Sequence, residues 1–147
     1  MNVIATNKRA RFDYFLEKRF SAGVVLEGTE VKAVREGRVN INGSYARVVA
    51  GEVFVYDVFI GEYSKTSIDS HNPDRRRKLL LKKREIAKIR SSLQEQSMTL
   101  VPVRMFFSDR NFVKIELALA RGKSKRDKRE SMKKREASRR IQDAMGR

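Results

Sequence analysis

Apolar and polar positions alternate most regularly in two segments of the C-terminal half. Thr99–Phe107 places Val101, Val103, Met105 and Phe107 on one face, and Phe112–Leu119 does the same with Val113, Ile115, Leu117 and Leu119, interleaved with Lys114 and Glu116. A period of two is that of a strand with one face on a core. Ser108–Asn111 is short enough to join the two as a hairpin. Pro102 offers no N–H, so its strand is expected at a sheet edge or bulged. Upstream, Phe12–Phe20 reads as a first strand, with a turn at Ser21-Ala22-Gly23. Val39–Ile41 and Tyr45–Val49 flank Asn42-Gly43, a pair suited to a tight turn. Val53–Ile60 is apolar on both faces, as a strand buried on both sides would be.

The helical period appears twice. Leu26–Glu36 has Val31 and Val34 one turn apart and Gly37 where a left-handed cap is wanted, although Val24–Leu26 could equally extend a strand. Further on, Asn72 can cap a helix, Pro73 suits its first turn and Asp74 complements its positive end. Leu79, Ile86, Ile89 and Leu93 then recur at seven, three and four residues, which predicts one helix from Asn72 through Leu93. Its apolar stripe would pack on a sheet, and its basic residues would face outward. Together these elements predict a mainly β chain with helices, an α+β fold. The expected form is a small closed antiparallel β-barrel of oligonucleotide-binding type with two to three helices.

Patterning stops after Ala120. Residues 121–147 contain no aromatic residue and few aliphatic ones, too little to bury a core. The expected organisation is therefore a domain over 1–120 and a basic tail over 121–147, disordered alone. The tail has no proline, and Ala137, Ile141 and Met145 share one helical face, so it is expected to become helical on a partner.

Charge sharpens this division. The formal net charge is +16, and residues 75–90 hold nine Lys/Arg against one acid while residues 121–147 hold twelve against four. The remainder of the chain is balanced. A neutral body with two basic blocks has dedicated polyanion-facing surfaces. RNA is the expected partner: no helix-turn-helix, zinc-finger or zipper pattern for DNA is present, and the tail carries too little apolar surface for lipid. Chemistry of other kinds finds few residues. There is no cysteine, and the single histidine, His71, lies in Asp69-Ser70-His71-Asn72-Pro73-Asp74, which reads as a polar loop entering a helix cap. Phosphate-loop, metal-ligand and catalytic-triad spacings are absent. No catalytic residue, metal or cofactor is expected. Met1–Ala10 lacks an apolar signal core, and the apolar runs fall short of a membrane span. A cytoplasmic monomer without membrane attachment is expected.

Several stretches resemble the SsrA-binding protein (SmpB) family. They are Asn7-Lys8-Arg9-Ala10-Arg11 with Asp13-Tyr14-Phe15, Ala22-Gly23 leading into Gly28-Thr29-Glu30-Val31-Lys32, and Gly43-Ser44-Tyr45. His71-Asn72-Pro73 with Arg77-Lys78-Leu79-Leu80-Leu81, Arg84-Glu85-Ile86, Thr99-Leu100-Val101-Pro102, and Gly122-Lys123 with Asp127-Lys128-Arg129 complete the set. The match is collinear from Val3 to about Arg135. The resemblance implies an RNA-binding adaptor that grips the tRNA-like part of transfer-messenger RNA and brings it to stalled bacterial ribosomes for trans-translation. It also implies that the tail becomes helical in the empty mRNA path near the small-subunit decoding region. By the same resemblance, Glu30 and Lys32 lie in an RNA-facing motif, Arg77 and Lys78 in a basic helix, and Gly122, Lys123, Asp127, Lys128 and Arg129 at the start of the ribosome-facing tail. The neighbouring cations Arg35, Arg75, Arg76, Lys82 and Lys83 join the RNA-binding set, and Lys125, Arg126, Lys133, Lys134 and Arg135 join the tail set. The alternative reading is a ribosomal or ribosome-associated structural RNA-binding protein.

The chain departs from the family pattern in places. Phe59-Ile60-Gly61-Glu62-Tyr63 replaces His-Ile-x-Pro-Tyr, and Phe12 stands where histidine is frequent. Ser97 replaces a glycine, and Ser124 and Arg126 stand where lysine and an aromatic or histidine occur. Arg126 keeps a flat face on which a base can stack.

Overall fold

The computed structural model describes residues 2–64, 71–95, 97–124, 126, 128–130 and 132–137. The hairpin of Thr99–Phe107 and the segment after it form and organise the rest, although the bulge at Pro102 breaks the predicted alternation, placing Leu100 in the main core with Met105, and Val101 in a separate cluster with Ala10 and Ala120. In chain order the strands are β1 (Asn2–Thr6), β2 (Tyr14–Val24), β3 (Val39–Asn40), β4 (Tyr45–Val49), β5 (Glu52–Tyr56), β6 (Phe59–Ile60), β7 (Arg77–Leu80), β8 (Thr99–Phe107) and β9 (Val113–Gly122). The helices are α1 (Lys8–Asp13), α2 (Gly28–Arg35) and α3 (Lys83–Glu95). The large sheet runs β1-β8-β4-β5-β7-β2-β9, and β9 pairs again with β8, so the strands from β8 round to β9 close a ring. The strand pairings are antiparallel throughout. β1 lies outside the ring on β8, while β3 and β6 form a separate pair.

Alternation fills the ring. Val53, Val55, Leu79, Leu100, Met105, Ile115 and Leu117 are buried inside it with Ile89 of α3. Full burial of such a side chain contributes about 1.5–3 kcal/mol. Pro102 sits at a bulge, where the β8–β9 register shifts between Pro102 and Arg104. Buried Asn7 ties this bulge to α1. Its side-chain amide donates to the Pro102 carbonyl at 2.9 Å, its backbone N–H donates to Val103 at 2.8 Å, and its Oδ1 caps α1 by accepting from Ala10.

Three expectations are corrected. Phe12 and Asp13 belong to α1, and the following strand runs straight through Ser21-Ala22-Gly23, which pair with Glu116, Ile115 and Lys114. Small residues there read locally as a turn, but pairing to β9 overrides that tendency. Val53–Ile60 is two strands broken at Asp57, whose φ is +59°, and β5 buries Val53 and Val55 while Phe54 and Tyr56 face outward. The helix predicted from Asn72 starts instead at Lys83, since Arg77–Leu80 is strand β7 between β5 and β2. Its start is marked by the Glu85 carboxylate, which accepts from the Lys82 N–H. In the tail, residues 126, 128–130 and 132–137 are helical. Helix-favouring residues fill this stretch, and Lys128 forms an ion pair with Asp13 of α1. Ile141 and Met145 lie outside the described residues.

Other expectations hold. α2 ends as predicted, with Gly37 at φ +75°. Asn42-Gly43 turns the chain, although β3 then pairs with β6 and not with β4. Ser97, standing where the family pattern has glycine, is held at φ +49°, a conformation that costs a side-chain-bearing residue free energy.

Candidate nucleic-acid interface

The motifs around Glu30 and Arg77, far apart in sequence, meet in one buried polar network. Glu30 points inward from the first turn of α2, where its carboxylate accepts the Glu27 N–H at 2.8 Å. The same carboxylate accepts from the guanidinium groups of Arg75 and Arg77. Arg77 is fully buried. Its remaining donors reach the carbonyls of Val58 at 2.7 Å, Pro73 at 3.1 Å and Asn72 at 3.4 Å. His71 completes the seam: Nε2 faces the Ile60 carbonyl at 2.8 Å and Nδ1 faces the Thr29 hydroxyl at 2.9 Å. A carbonyl can only accept, so Nε2 carries a hydrogen. One ion-paired seam thus locks α2 to residues 71–77 and to the β5–β6 connection.

Burial alone would raise the Glu30 pKa. The Glu27 N–H and the Arg75 and Arg77 guanidinium groups outweigh it and hold the carboxyl below the usual glutamate range. A depressed folded pKa stabilises the fold above the unfolded value and loses that contribution as pH falls through the folded value. Glu30→Gln should therefore melt lower than the parent at neutral pH. The gap should begin to narrow as pH falls past the ordinary glutamate value of about 4.3 and close as it falls through the depressed folded value, which thermal melts across acid pH would show. A gap independent of pH would contradict this linkage.

Burial corrects two site expectations. Glu30 and Arg77 are interior groups that position others, and neither side chain presents a surface to a partner. The reason lies in the strand. Period-two alternation turns Arg75 and Arg77 toward α2 and sends Arg76 and Lys78 to the outer sheet face, where a helix would have mixed them. On the α2 side the exposed cations are Lys32, whose Nζ lies 5.3 Å from the Tyr63 ring centre, and Arg35, with half-buried Arg75 beneath. On the outer face Arg76 lies over the Phe54 ring at 4.4 Å, and Lys78 pairs with Glu52 at 2.9 Å.

Lys82 and Lys83 are exposed at the start of α3. Beside them lies a cluster that sequence reasoning missed. Lys18 of β2 meets Lys88 of α3 in a cleft also lined by Arg19, Arg84 and Glu85. Contact with Lys88, assisted by desolvation and opposed by Glu85, holds Lys18 below the usual lysine range. Only the packing of α3 on β2 brings these lysines together; Arg19, by contrast, is paired with Glu116.

The tail leaves the body at Gly122, which ends β9 opposite Tyr14. Lys123 donates its N–H to Asp13 and its Nζ to Arg11, and lies 5.1 Å from the Phe15 ring. Lys128 and Arg135 stand over Phe12 at 6.0 and 5.7 Å. Arg126 faces Glu130 one turn on, and Arg129, Lys133 and Lys134 are exposed. Lys125 and Asp127 lie outside the described residues. Among the described residues, no helix is long and apolar enough to cross a membrane.

Comparison with known proteins gives one answer. The family model described as SmpB protein matches residues 4–147. The SsrA-binding protein of Geobacillus thermodenitrificans is 49% identical over 142 residues, covering 97% of this chain and 91% of its own. That of Thermosipho melanesiensis is 45% identical over 143 residues, covering 97% of each. A solved structure described as "tmRNA-SmpB: a journey to the center of the bacterial ribosome" superposes with a TM-score of 0.69 at 39% identity, covering 86% of this chain and 92% of the other.

Proposed function

The chain belongs to the SmpB protein family, and on that premise we propose that it is an RNA-binding adaptor which carries transfer-messenger RNA to stalled ribosomes. The observation that carries this reading is the seam between the Glu30 and Arg77 motifs. It fixes α2 and residues 71–77 as one rigid support, from which Lys32, Arg35 and Arg75 face the tRNA-like part of the RNA. Lys82 and Lys83 extend this surface along α3, and the Lys18–Lys88 contact supports the extension. Two ammonium groups held together are relieved by an anion between them, as a phosphate would be. A folded RNA is gripped through its backbone shape in this way, with phosphate contacts dominating.

The tail carries the second half of the task. Gly122 and Lys123 form its root, and the cations at Lys125, Arg126, Lys128, Arg129, Lys133, Lys134 and Arg135, with Asp127 among them, line a helix in the empty mRNA path near the decoding region. The protein forms and breaks no covalent bond in this account, and it works where ribosomes work, in the cytoplasm.

The body surface is tested by salt titration of transfer-messenger RNA binding. Lys82→Ala with Lys83→Ala should weaken binding and make the slope of log affinity against log salt shallower by roughly 1–2, as fewer counterions are released. An unchanged slope would remove this part of α3 from the interface.

A further inference from the structure

The outer face of β4, β5 and β7 carries aromatic and cationic side chains apart from the surface formed by Lys32, Arg35, Arg75, Lys82 and Lys83. Its inward neighbours Ala46, Val53, Val55, Arg77 and Leu79 already fill the ring, so the outward rings are not required to complete the core. Cross-strand register sets Tyr45 opposite Tyr56 and puts Arg47, Phe54 and Lys78 in one row. The two tyrosine rings stack with centres 5.3 Å apart and planes within 12°. The Arg47 guanidinium lies 5.3 Å from the Tyr45 centre and 6.0 Å from that of Tyr56, and Arg76 covers Phe54 at 4.4 Å. Arg47 and Arg76 are exposed, and neither is ion-paired among the described residues. On the same face of β5, two residues along from Phe54, the Glu52 carboxylate is already held by Lys78.

We propose that this face is a second RNA-binding surface, one that stacks unpaired nucleotides. A planar guanidinium resting on a ring marks a place where a flat, electron-rich base can stack, on the ring or on the guanidinium itself. Strands about 4.8 Å apart offer such places in series, and the unpaired cations between them suit the connecting phosphates. Arg47, Arg76 and Lys78 against Glu52 leave the face net positive, which favours a polyanion over an acidic-poor or neutral partner. The bland account, that cross-strand aromatic pairs only stabilise the sheet, explains the tyrosine stack but not a guanidinium over each group of rings. This surface is separate from the Lys32–Arg75 side of α2 and does not rest on the adaptor reading.

The test uses the full chain and a fluorescent oligoadenylate of about a dozen nucleotides, beside a base-paired RNA of equal charge. Ultraviolet cross-linking with mass-spectrometric mapping should attach the single strand to Tyr45, Phe54 or Tyr56. Phe54→Leu with Tyr56→Leu should weaken single-strand binding about tenfold or more while leaving duplex binding nearly unchanged. Arg47→Gln, an exposed change that leaves the fold intact, should weaken the same complex several-fold and covers the case in which the double variant fails to fold. Cross-links confined to the tail and α3, equal losses for both RNAs, or no effect of Arg47→Gln would each overturn the proposal. Failure here would leave transfer-messenger RNA binding by α2 and α3 untouched, since that is measured with a folded RNA and different variants.

Discussion

Replacing Arg77 by alanine should lower the free energy of unfolding by about 3–5 kcal/mol, the cost of breaking a buried ion pair from one side. The side chain is fully buried and donates to the Glu30 carboxylate and to the carbonyls of Val58, Asn72 and Pro73. Removal leaves those carbonyls short of a donor and the carboxylate with only Arg75 and the Glu27 N–H. For a chain of this size the loss corresponds to a fall in melting temperature on the order of 10–20 °C. Arg77→Lys should not rescue it, since an ammonium on a flexible stem cannot span acceptors that diverge around a planar fork. Glu30→Leu with Arg77→Met should recover stability relative to either single loss, because removing both charges avoids an uncompensated one. It should not recover RNA binding, since α2 and residues 71–77 would lose their common support. Melts of the parent, Glu30→Leu, Arg77→Met and the double variant form a double-mutant cycle that isolates the pair. Additive losses would show that the two side chains are not coupled.

Ending the chain after Lys123 should abolish ribosome engagement and leave the body folded. The described contacts of the helical tail with the body are the Lys128–Asp13 ion pair and the cations over Phe12, all at the surface. Such pairs contribute about 0–1 kcal/mol each, so the melting temperature should move by no more than a few degrees. Transfer-messenger RNA binding should survive in proportion, while tagging on stalled ribosomes should fall to background. The place of the cut matters. β9 runs to Gly122 opposite Tyr14, and the Lys123 N–H donates to Asp13, so a cut at residue 121 would strip a strand end along with the tail. Loss of the unfolding transition on cutting after Lys123 would show that the tail belongs to the core. Retained tagging would remove it from the ribosome-facing role.

What could be read from residues alone follows the range of the forces involved. The β8–β9 hairpin and α2 were legible because alternation, the Ser108–Asn111 turn and the Gly37 stop are local signals. β7 was not. Arg75-Arg76-Arg77-Lys78-Leu79-Leu80-Leu81 has good helix propensity and continues in phase with α3, and only pairing to β5 and β2 makes part of it a strand. That one reassignment decides which arginines are buried, and it makes Arg77 an interior partner of Glu30. The Lys18–Lys88 contact and the Tyr45–Arg47–Tyr56 cluster depend on strand register and helix docking, which no spacing in the chain encodes.

The adaptor account stands or falls on which RNA the protein holds in the cell. Affinity-purifying the full chain from lysate and sequencing the RNA bound to it should yield one dominant species with a tRNA-like end, accompanied by ribosomal RNA only when translation is stalled. Ribosomal RNAs in the proportions of bulk ribosomes, with no tRNA-like species enriched, would contradict it and point to a structural ribosomal protein.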